Sequence, residues 1–466
     1  MKTKNLYDLD PERLATTDEH GHRVYLYPEE VKGKWKDRRH FLYWFLIGLY
    51  LVLPWFNING RPALQVDIFN REFSFLGSTL HGVEPILFFL MLASGLFFIA
   101  FMTSLLGRVW CGWACPQTVF IQSIFWKIEQ LVEGKARARR KLDAENWSGL
   151  KLFKRGVKWI LFFLVSAHIA HTFIGYFVGP RVLLQITTGT PSENWGLFIA
   201  TSILTVIFLL DFGWFREQFC IIACPYGRIQ SVMMDENSLV VAYDQKRGEP
   251  RSGEVERGLE GDCVNCYQCV KVCPTGIDIR RGTQLECINC TLCIDACDTI
   301  MEKTKKPHGL VRYSSENERN GRPRKLVTPR SVLYICISFL FVGAFAYYLN
   351  ASTRLNLVFL RSRNPFTVSL DGKVTNPFQL KISHQGGSVP KIDFRMKELL
   401  LRDMVKVITP SHPTLIDSPA KKILMLFRFE KSFVASGSRI VSVEAVDHET
   451  HIVLAEQEVT LVGPTQ

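Results

Sequence analysis

The sequence predicts a helical membrane protein of about five transmembrane helices, with a cysteine-rich cytoplasmic insertion and a C-terminal all-β sandwich. Three observations predict it. Long apolar runs recur along the first 350 residues, twelve of the 13 Cys fall in four short clusters, and the last hundred residues read as short β-prone runs. With 47% hydrophobic and 12% aromatic residues and a mean hydropathy of +0.08, the chain suits a membrane protein with sizeable soluble parts better than a soluble enzyme.

The expected spans lie near Phe41–Phe56, Val83–Leu106, Val157–Val178, Trp195–Phe212 and Ser331–Leu349. The first sits too far in, without a small-residue cleavage site after it, to be a signal peptide. The net charge of +12 is concentrated beside these runs. Lys32, Lys34, Lys36, Arg38 and Arg39 precede the first span, and Lys135, Arg137, Arg139, Arg140, Lys141, Lys151, Lys154 and Arg155 follow the second. The loops 57–82 and 180–194 hold only Arg61, Arg71 and Arg181. Positive residues stay inside, so the N-terminus (1–40) and the segment 213–329 are expected in the cytoplasm of a bacterial inner membrane. Helices one to four occupy 41–212, helix five 330–350, and 351–466 faces the periplasm. The stretch Lys135–Lys141 reads as a membrane-surface feature; no nucleic-acid motif accompanies it.

In the tail, Ile423–Phe429 and Val441–Val446 are β-prone, the second alternating apolar and polar, with Pro and Gly between such runs. A small antiparallel sandwich without cysteine follows from them.

The 263–297 stretch carries Cys263-Val-Asn-Cys266-Tyr-Gln-Cys269-Val-Lys-Val-Cys273-Pro274 and again Cys287-Ile-Asn-Cys290-Thr-Leu-Cys293-Ile-Asp-Ala-Cys297. This C-x₂-C-x₂-C-x₃-C spacing is that of bacterial two-cluster ferredoxins, in which the fourth Cys of each run serves the other cluster. It assigns Cys263, Cys266, Cys269 and Cys297 to one [4Fe–4S] cluster and Cys273, Cys287, Cys290 and Cys293 to a second. Structural zinc shares the C-x₂-C unit, but two successive complete four-ligand sets favour cubanes. Asp298 stands where a second proline would be usual. Proline supplies no ligand atom, so its absence bears on polarity and potential.

A second pair of motifs ends spans two and four: Cys111-Gly-Trp-Ala-Cys115-Pro116 and Cys220-Ile-Ile-Ala-Cys224-Pro225, each running on to Ile-Gln-Ser. The whole reads as an internal duplication with one residue deleted from the second copy. On a helix, a C-x₃-C pair presents both sulfurs on one face about a turn apart. Soft thiolates select Cu(I), zinc or iron–sulfur groups, and a site beside an electron relay has little use for redox-silent zinc. The plain alternative is that small Cys side chains pack helix ends. One site or two is open at this point.

His168 and His171, three residues apart in span three, could ligate haem or a metal, or form a helix contact or quinone site. Glu84 marks the outer end of span two, and Cys336 in span five reads as a packing residue.

The five spans, both C-x₃-C-P motifs, the duplicated cysteine run and the terminal β domain, in that order, resemble the FixG/CcoG (RdxA-like) cytochrome c oxidase accessory protein family over nearly the whole chain. The resemblance implies an immunoglobulin-like terminal domain. It also implies reduction of Cu(II) to Cu(I) for assembly of a cbb-type oxidase, with Cys111, Cys115, Cys220 and Cys224 as transient copper ligands. Partners would be oxidase subunits or copper chaperones and transporters, with a cytoplasmic or quinol electron donor. Two other readings compete: a quinol dehydrogenase subunit of the NapH/NosR type, which shares the motifs between spans two and five, and a non-enzymatic assembly factor.

Overall fold

The computed structural model describes residues 16–464 apart from 18–19, 21, 59–60, 68–71, 76–77, 82–84, 254–259, 352–354, 363, 370, 385–390, 416–419 and 435–436. The chain forms two compact units. One contains the helical bundle and the cysteine-rich segment up to Ala344; the other contains the C-terminal strands.

In the first unit the principal helices are α1 (Lys34–Val52), α2 (Pro85–Leu106), α3 (Gly149–Val178), α4 (Trp195–Leu209), α5 (Leu292–Lys303) and α6 (Pro329–Ala351). Four membrane-crossing helices, against five expected, are long and apolar enough among the described residues: Phe88–Leu106, Gly149–Val178, Trp195–Phe215 and Pro329–Tyr348. The shortfall lies in α1, whose first turns carry Lys34, Lys36, Asp37, Arg38 and Arg39. Its apolar part, about 12 residues, rises about 18 Å against the ~30 Å hydrocarbon layer. The helix nevertheless runs deep. Arg39 donates to the Cys290 carbonyl at one end, and Tyr50 donates to the Ile169 carbonyl in the C-terminal half of α3 at 2.8 Å near the other. Glu84 lies outside the described residues. Cys336, expected to pack, is exposed on α6.

α3 starts eight residues before its expected boundary, and Lys158 inside it is buried because it meets the buried Glu133 at 2.9 Å. Glu133 also pairs with Arg155 at 3.3 Å. A second buried carboxylate, Glu129, receives Arg139 at 2.6 Å and Arg216 at 2.9 Å. Arg139, placed by the sequence on a membrane-surface stretch, is therefore an interior residue, 1% exposed. Its guanidinium could not leave water without a carboxylate to receive it.

The cysteine-rich segment is framed by an antiparallel ladder of β1 (Val240–Tyr243) and β2 (Val311–Ser314) and by α5. α1 docks on α5 through Asp295, which accepts from the amides of Trp35 at 3.2 Å and Lys36 at 2.7 Å. A carboxylate from another element thus caps the start of α1, whose own N-cap position is Gly33.

The second unit is a two-sheet antiparallel sandwich. Its strands are β3 (Leu355–Arg361), β4 (Thr367–Val368), β5 (Lys373–His384), β6 (Lys391–Met396), β7 (Val405–Ile408), β8 (Thr414–Leu415), β9 (Ala420–Glu430), β10 (Ser438–Asp447) and β11 (Val453–Val462). One sheet has the order β7-β9-β5-β3 with β4 on β5, the other β8-β6-β10-β11. Along β9, Ile423, Met425, Phe427 and Phe429 are buried while Leu424 faces out, the period of two that a half-buried strand requires. They meet Val441, Val443 and Leu461 of the other sheet in one core.

Replacing Glu129 by Ala would leave Arg139 and Arg216 buried without their shared partner. The expected loss of stability is about 3–5 kcal/mol, read as a lowered thermal midpoint of the detergent-solubilised protein. Removing the exposed Glu449, paired with Lys391 at 3.0 Å, should cost only about 0–1 kcal/mol. Equal effects would mean that the interior pairs add nothing beyond surface pairs.

Candidate metal and electron-transfer centre

The two cysteine runs fold alike because the same two offsets take left-handed backbone. Asn265 and Tyr267 have φ of 53° and 59°, and Asn289 and Thr291 have 52° and 65°. Such conformations are uncommon for residues other than Gly, and here they curl each loop so that successive cysteines turn inward. The runs diverge at the fourth Cys. After Cys273, Pro274 follows a one-turn helix, Gln268–Lys271. After Cys297 there is no proline, and α5 continues through Asp298, whose carboxylate accepts from the Gly309 amide at 2.9 Å. Cys293 and Cys297 therefore sit one turn apart on a single helix.

Cys263, Cys266, Cys269 and Cys297 line one cavity, with Tyr267, Arg280 and Ile300 among its other walls. Cys273, Cys287, Cys290 and Cys293 lie close enough that each of the four interacts electrostatically with the other three. Cys269 and Cys293 link the two groups. Burial pushes the Cys273 thiol up to about 11 and the Cys287 and Cys297 thiols up to about 12. These sulfurs are protonated at neutral pH unless a metal group displaces the proton. Arg280 lies over the Tyr267 ring at 4.0 Å and pairs with Asp278 at 2.7 Å, a buried positive charge beside Cys269. The donor set, thiols alone in two groups of four, fits two cubane iron–sulfur clusters.

The C-x₃-C-P motifs differ from the expected pair on one helix face. Each is a corner. Cys111 lies in a short helix, Val109–Trp113, and Cys220 in a π-helical turn, Phe219–Ala223. The second cysteine of each motif has left the helix: Cys115 (φ −62°, ψ 125°) and Cys224 (φ −71°, ψ 112°) are N-caps of new helices starting at Pro116 and Pro225. Proline is favoured at that first position because its missing N–H would be unpaired there anyway. The amides of Gln117 and Thr118 point to the Cys115 sulfur.

All four thiols interact electrostatically with one another, so the structure gathers them in one place. Burial raises Cys111 to about 11 and also raises Cys115 and Cys220. The fully buried Gln230 offers its Nε2 to the Cys111 sulfur at 3.4 Å. Among the described residues, no three His, Cys, Asp or Glu side chains already stand at the spacing of ligands on a single ion.

The two cysteine systems touch. Arg108, 6% exposed, donates to the carbonyls of Leu285 and Cys287 in the second run, and at 2.6 Å to Gly227 just after Cys224. Gly112, inside the first C-x₃-C-P motif, lies against the Ile288 and Asn289 backbone so closely that a Cβ there would collide with it. Tyr313 donates to the Asn289 carbonyl at 3.1 Å and receives the Trp113 indole N–H at 3.2 Å. Sequence spacing gives no sign of Arg108, Gly112 or Gln230. Arg108 lies three residues before Cys111 and Gln230 belongs to the repeated Ile-Gln-Ser, signals too slight to single them out.

His168 and His171 are differently placed. His168 is exposed on the outer face of α3, while His171 turns Nδ1 onto the Ala167 carbonyl at 2.8 Å and lines a cavity.

Residues 215–316 match the 4Fe-4S dicluster domain family, and residues 87–138 match a 4Fe-4S binding domain family. Protein RdxB of Cereibacter sphaeroides is 33% identical over 92% of both chains. Protein RdxA of the same organism is 36% identical over 78% of this chain and 80% of its own. Nitrogen fixation protein FixG of Rhizobium meliloti is 32% identical over 77% of this chain and 76% of its own. With those relatives and this arrangement of thiols at the foot of apolar helices, the chain belongs to the FixG/RdxA-like family of membrane iron–sulfur electron-transfer proteins.

Proposed function

We propose that this protein reduces Cu(II) to Cu(I) at the four thiols Cys111, Cys115, Cys220 and Cys224, and that the Cu(I) serves assembly of a cbb-type cytochrome c oxidase. The observation that carries the reading is the convergence of these four sulfurs directly against the second cysteine run. Cys263, Cys266, Cys269 and Cys297 would hold one [4Fe–4S] cluster and Cys273, Cys287, Cys290 and Cys293 the other. Bound there, the clusters supply one-electron chemistry.

The chain's own residues supply the rest. Cupric ion enters as substrate, gains one electron and becomes cuprous, the state thiolate ligands stabilise. Gln230 and the amides of Gln117 and Thr118 favour charge on the sulfurs of Cys111 and Cys115. Gly112 allows the two cysteine systems to approach at backbone distance, and Arg108 holds them there. Release follows by exchange onto the soft ligands of a chaperone, transporter or oxidase subunit.

In the membrane this reading places the N-terminus and the 213–329 segment in the cytoplasm. α1 with its 3-10 continuation at Leu53–Trp55 makes a fifth, short crossing, and the sandwich, an immunoglobulin-like domain, lies in the periplasm. The basic loops support it, as does the course of α1 from Cys290 to the C-terminal half of α3.

Protein purified without oxygen should contain iron, acid-labile sulfide and copper. A variant with Cys111, Cys115, Cys220 and Cys224 all replaced by Ser should keep its iron and lose both copper and cupric reduction. Loss of iron together with copper would sink the separation of the two systems. Clusters that quinol reduces and Cu(II) leaves untouched would favour the quinol dehydrogenase reading instead.

Gly112→Ala should push the second cysteine run away from the thiols. Copper binding should persist while single-turnover oxidation of the pre-reduced protein by Cu(II) slows at least tenfold. Gly95→Ala in α2, where an added Cβ meets nothing within 4 Å, should leave that rate unchanged. Equal rates in all three proteins would show that the close approach is irrelevant to electron delivery.

A further inference from the structure

A cavity of about 400 Å³ opens between α3, α4 and the short helix Pro180–Thr188, all in the first unit. That volume is in the range of small-molecule sites. Its walls are mainly apolar (Phe163, Leu183, Leu197, Phe198), and α3 and α4 are two of the membrane-crossing helices. A polar stripe of His171, Thr201, Ser202 and Thr205 runs through it. Polar side chains at that depth are costly and need a reason.

Their hydrogen-bonding capacity is one-sided. Thr201, Ser202 and Thr205 each donate at 2.8 Å to the carbonyl four residues back, Leu197, Phe198 and Thr201 respectively. Their hydrogens are used and only oxygen lone pairs remain. His171 Nδ1 stands 2.8 Å from the Ala167 carbonyl oxygen, which can only accept, so Nδ1 carries the hydrogen. In the neutral ring Nε2 is then a bare acceptor. Along this stripe the cavity offers acceptors, while the Asn194 amide, which also lines it, can donate.

The thiol centre is also near. Thr205 and Asp211 lie six residues apart on one continuous helical stretch, about 9 Å along its axis. Asp211 accepts from Gln117, two residues after Cys115, at 2.9 Å. On the same stretch Phe208 stacks on Phe212 with centroids 5.7 Å apart, and Phe212 meets Phe120 at 5.7 Å.

We infer that this cavity is a binding site for a membrane-soluble quinol, whose two hydroxyls can donate to His171 Nε2 and the threonine oxygens. An oxidised quinone, which has acceptors alone, could be met there by the Asn194 amide but not by His171 or the threonine oxygens. The inference rests on the electron-transfer reading above for its biological sense, but its test involves neither copper nor electron transfer.

The test is calorimetric titration of the full chain in nanodiscs, pre-reduced and freed of reductant. The ligands are decylubiquinol and its di-O-methyl ether, which keeps the shape and loses both donors. The quinol should bind at least tenfold more tightly than the ether. His171→Leu should abolish that preference, and His171→Gln, which keeps an acceptor on a shorter stem, should restore part of it. His168→Leu, on the exposed face, should leave it intact. Equal affinity for quinol and ether would overturn the inference, as expected of a groove that takes only phospholipid chains. So would a His171→Leu protein that still prefers the quinol.

Discussion

The guanidinium of Arg108 constrains the centre more than any single cysteine does. It is buried, always charged, and rich in N–H groups that must be met. The partners are backbone carbonyls from two other places in the sequence, Leu285 and Cys287 on one side and Gly227 on the other. Hydrogen bonds to a charged group contribute about 1.5–3 kcal/mol each, and an orphaned buried guanidinium costs more than the bonds supply. The end of α2, the second cysteine run and the corner after Cys224 therefore move as one piece. A backbone contact with no room for a Cβ at Gly112 is sustainable only between elements locked in this way.

The lock does not stand alone. Glu129 draws Arg139 and Arg216 into the interior, and Arg216, itself at φ 54°, passes its carbonyl to Gln117 at 3.2 Å. Gln117 follows Cys115 by two residues and Arg216 precedes Cys220 by four. The ion pairs thus bind the polypeptide after the first motif to the polypeptide before the second. Asp295 does similar work for α1, whose start it caps from within α5, midway between Cys293 and Cys297.

How much of this was legible depended on whether the determinant was local. The inward curl of the cysteine runs is local: the Cys spacing and the Asn at the same offset in both copies encode it. The alternation of Val441-Ser-Val-Glu-Ala-Val446 is local too, and strand β10 follows from it. The length of the first crossing was misread because the apolar run continues past Val52 into a 3-10 turn with Pro54 at its centre, and composition alone does not reveal where helix ends. The C-x₃-C pairs were placed on one helix face although proline follows each second cysteine. A residue before proline is driven out of the helical region, so the corner was readable and was missed. Arg108, Gln230 and the interior position of Arg139 depend on partners 119, 119 and 10 residues away. No pattern along the chain carries that information.

The duplication of the C-x₃-C-P units suggests a symmetric thiol site, and the side chains argue for an asymmetric one. Gln122 and Gln230 hold the same place in the repeated Ile-Gln-Ser. Gln230 reaches across to the sulfur of Cys111 in the other copy. Gln122 makes no equivalent contact with Cys220; its Oε1 is buried with no partner among the described residues. Cys115 in turn has the Gln117 and Thr118 amides, so both sulfurs of the first motif receive donors. Cys220 is pushed up by burial and by the neighbouring sulfurs of Cys115 and Cys111. Donors of this kind oppose the effect of burial on a thiol, so Cys111 and Cys115 have a compensation that Cys220 lacks, and the two copies of the motif are chemically unequal.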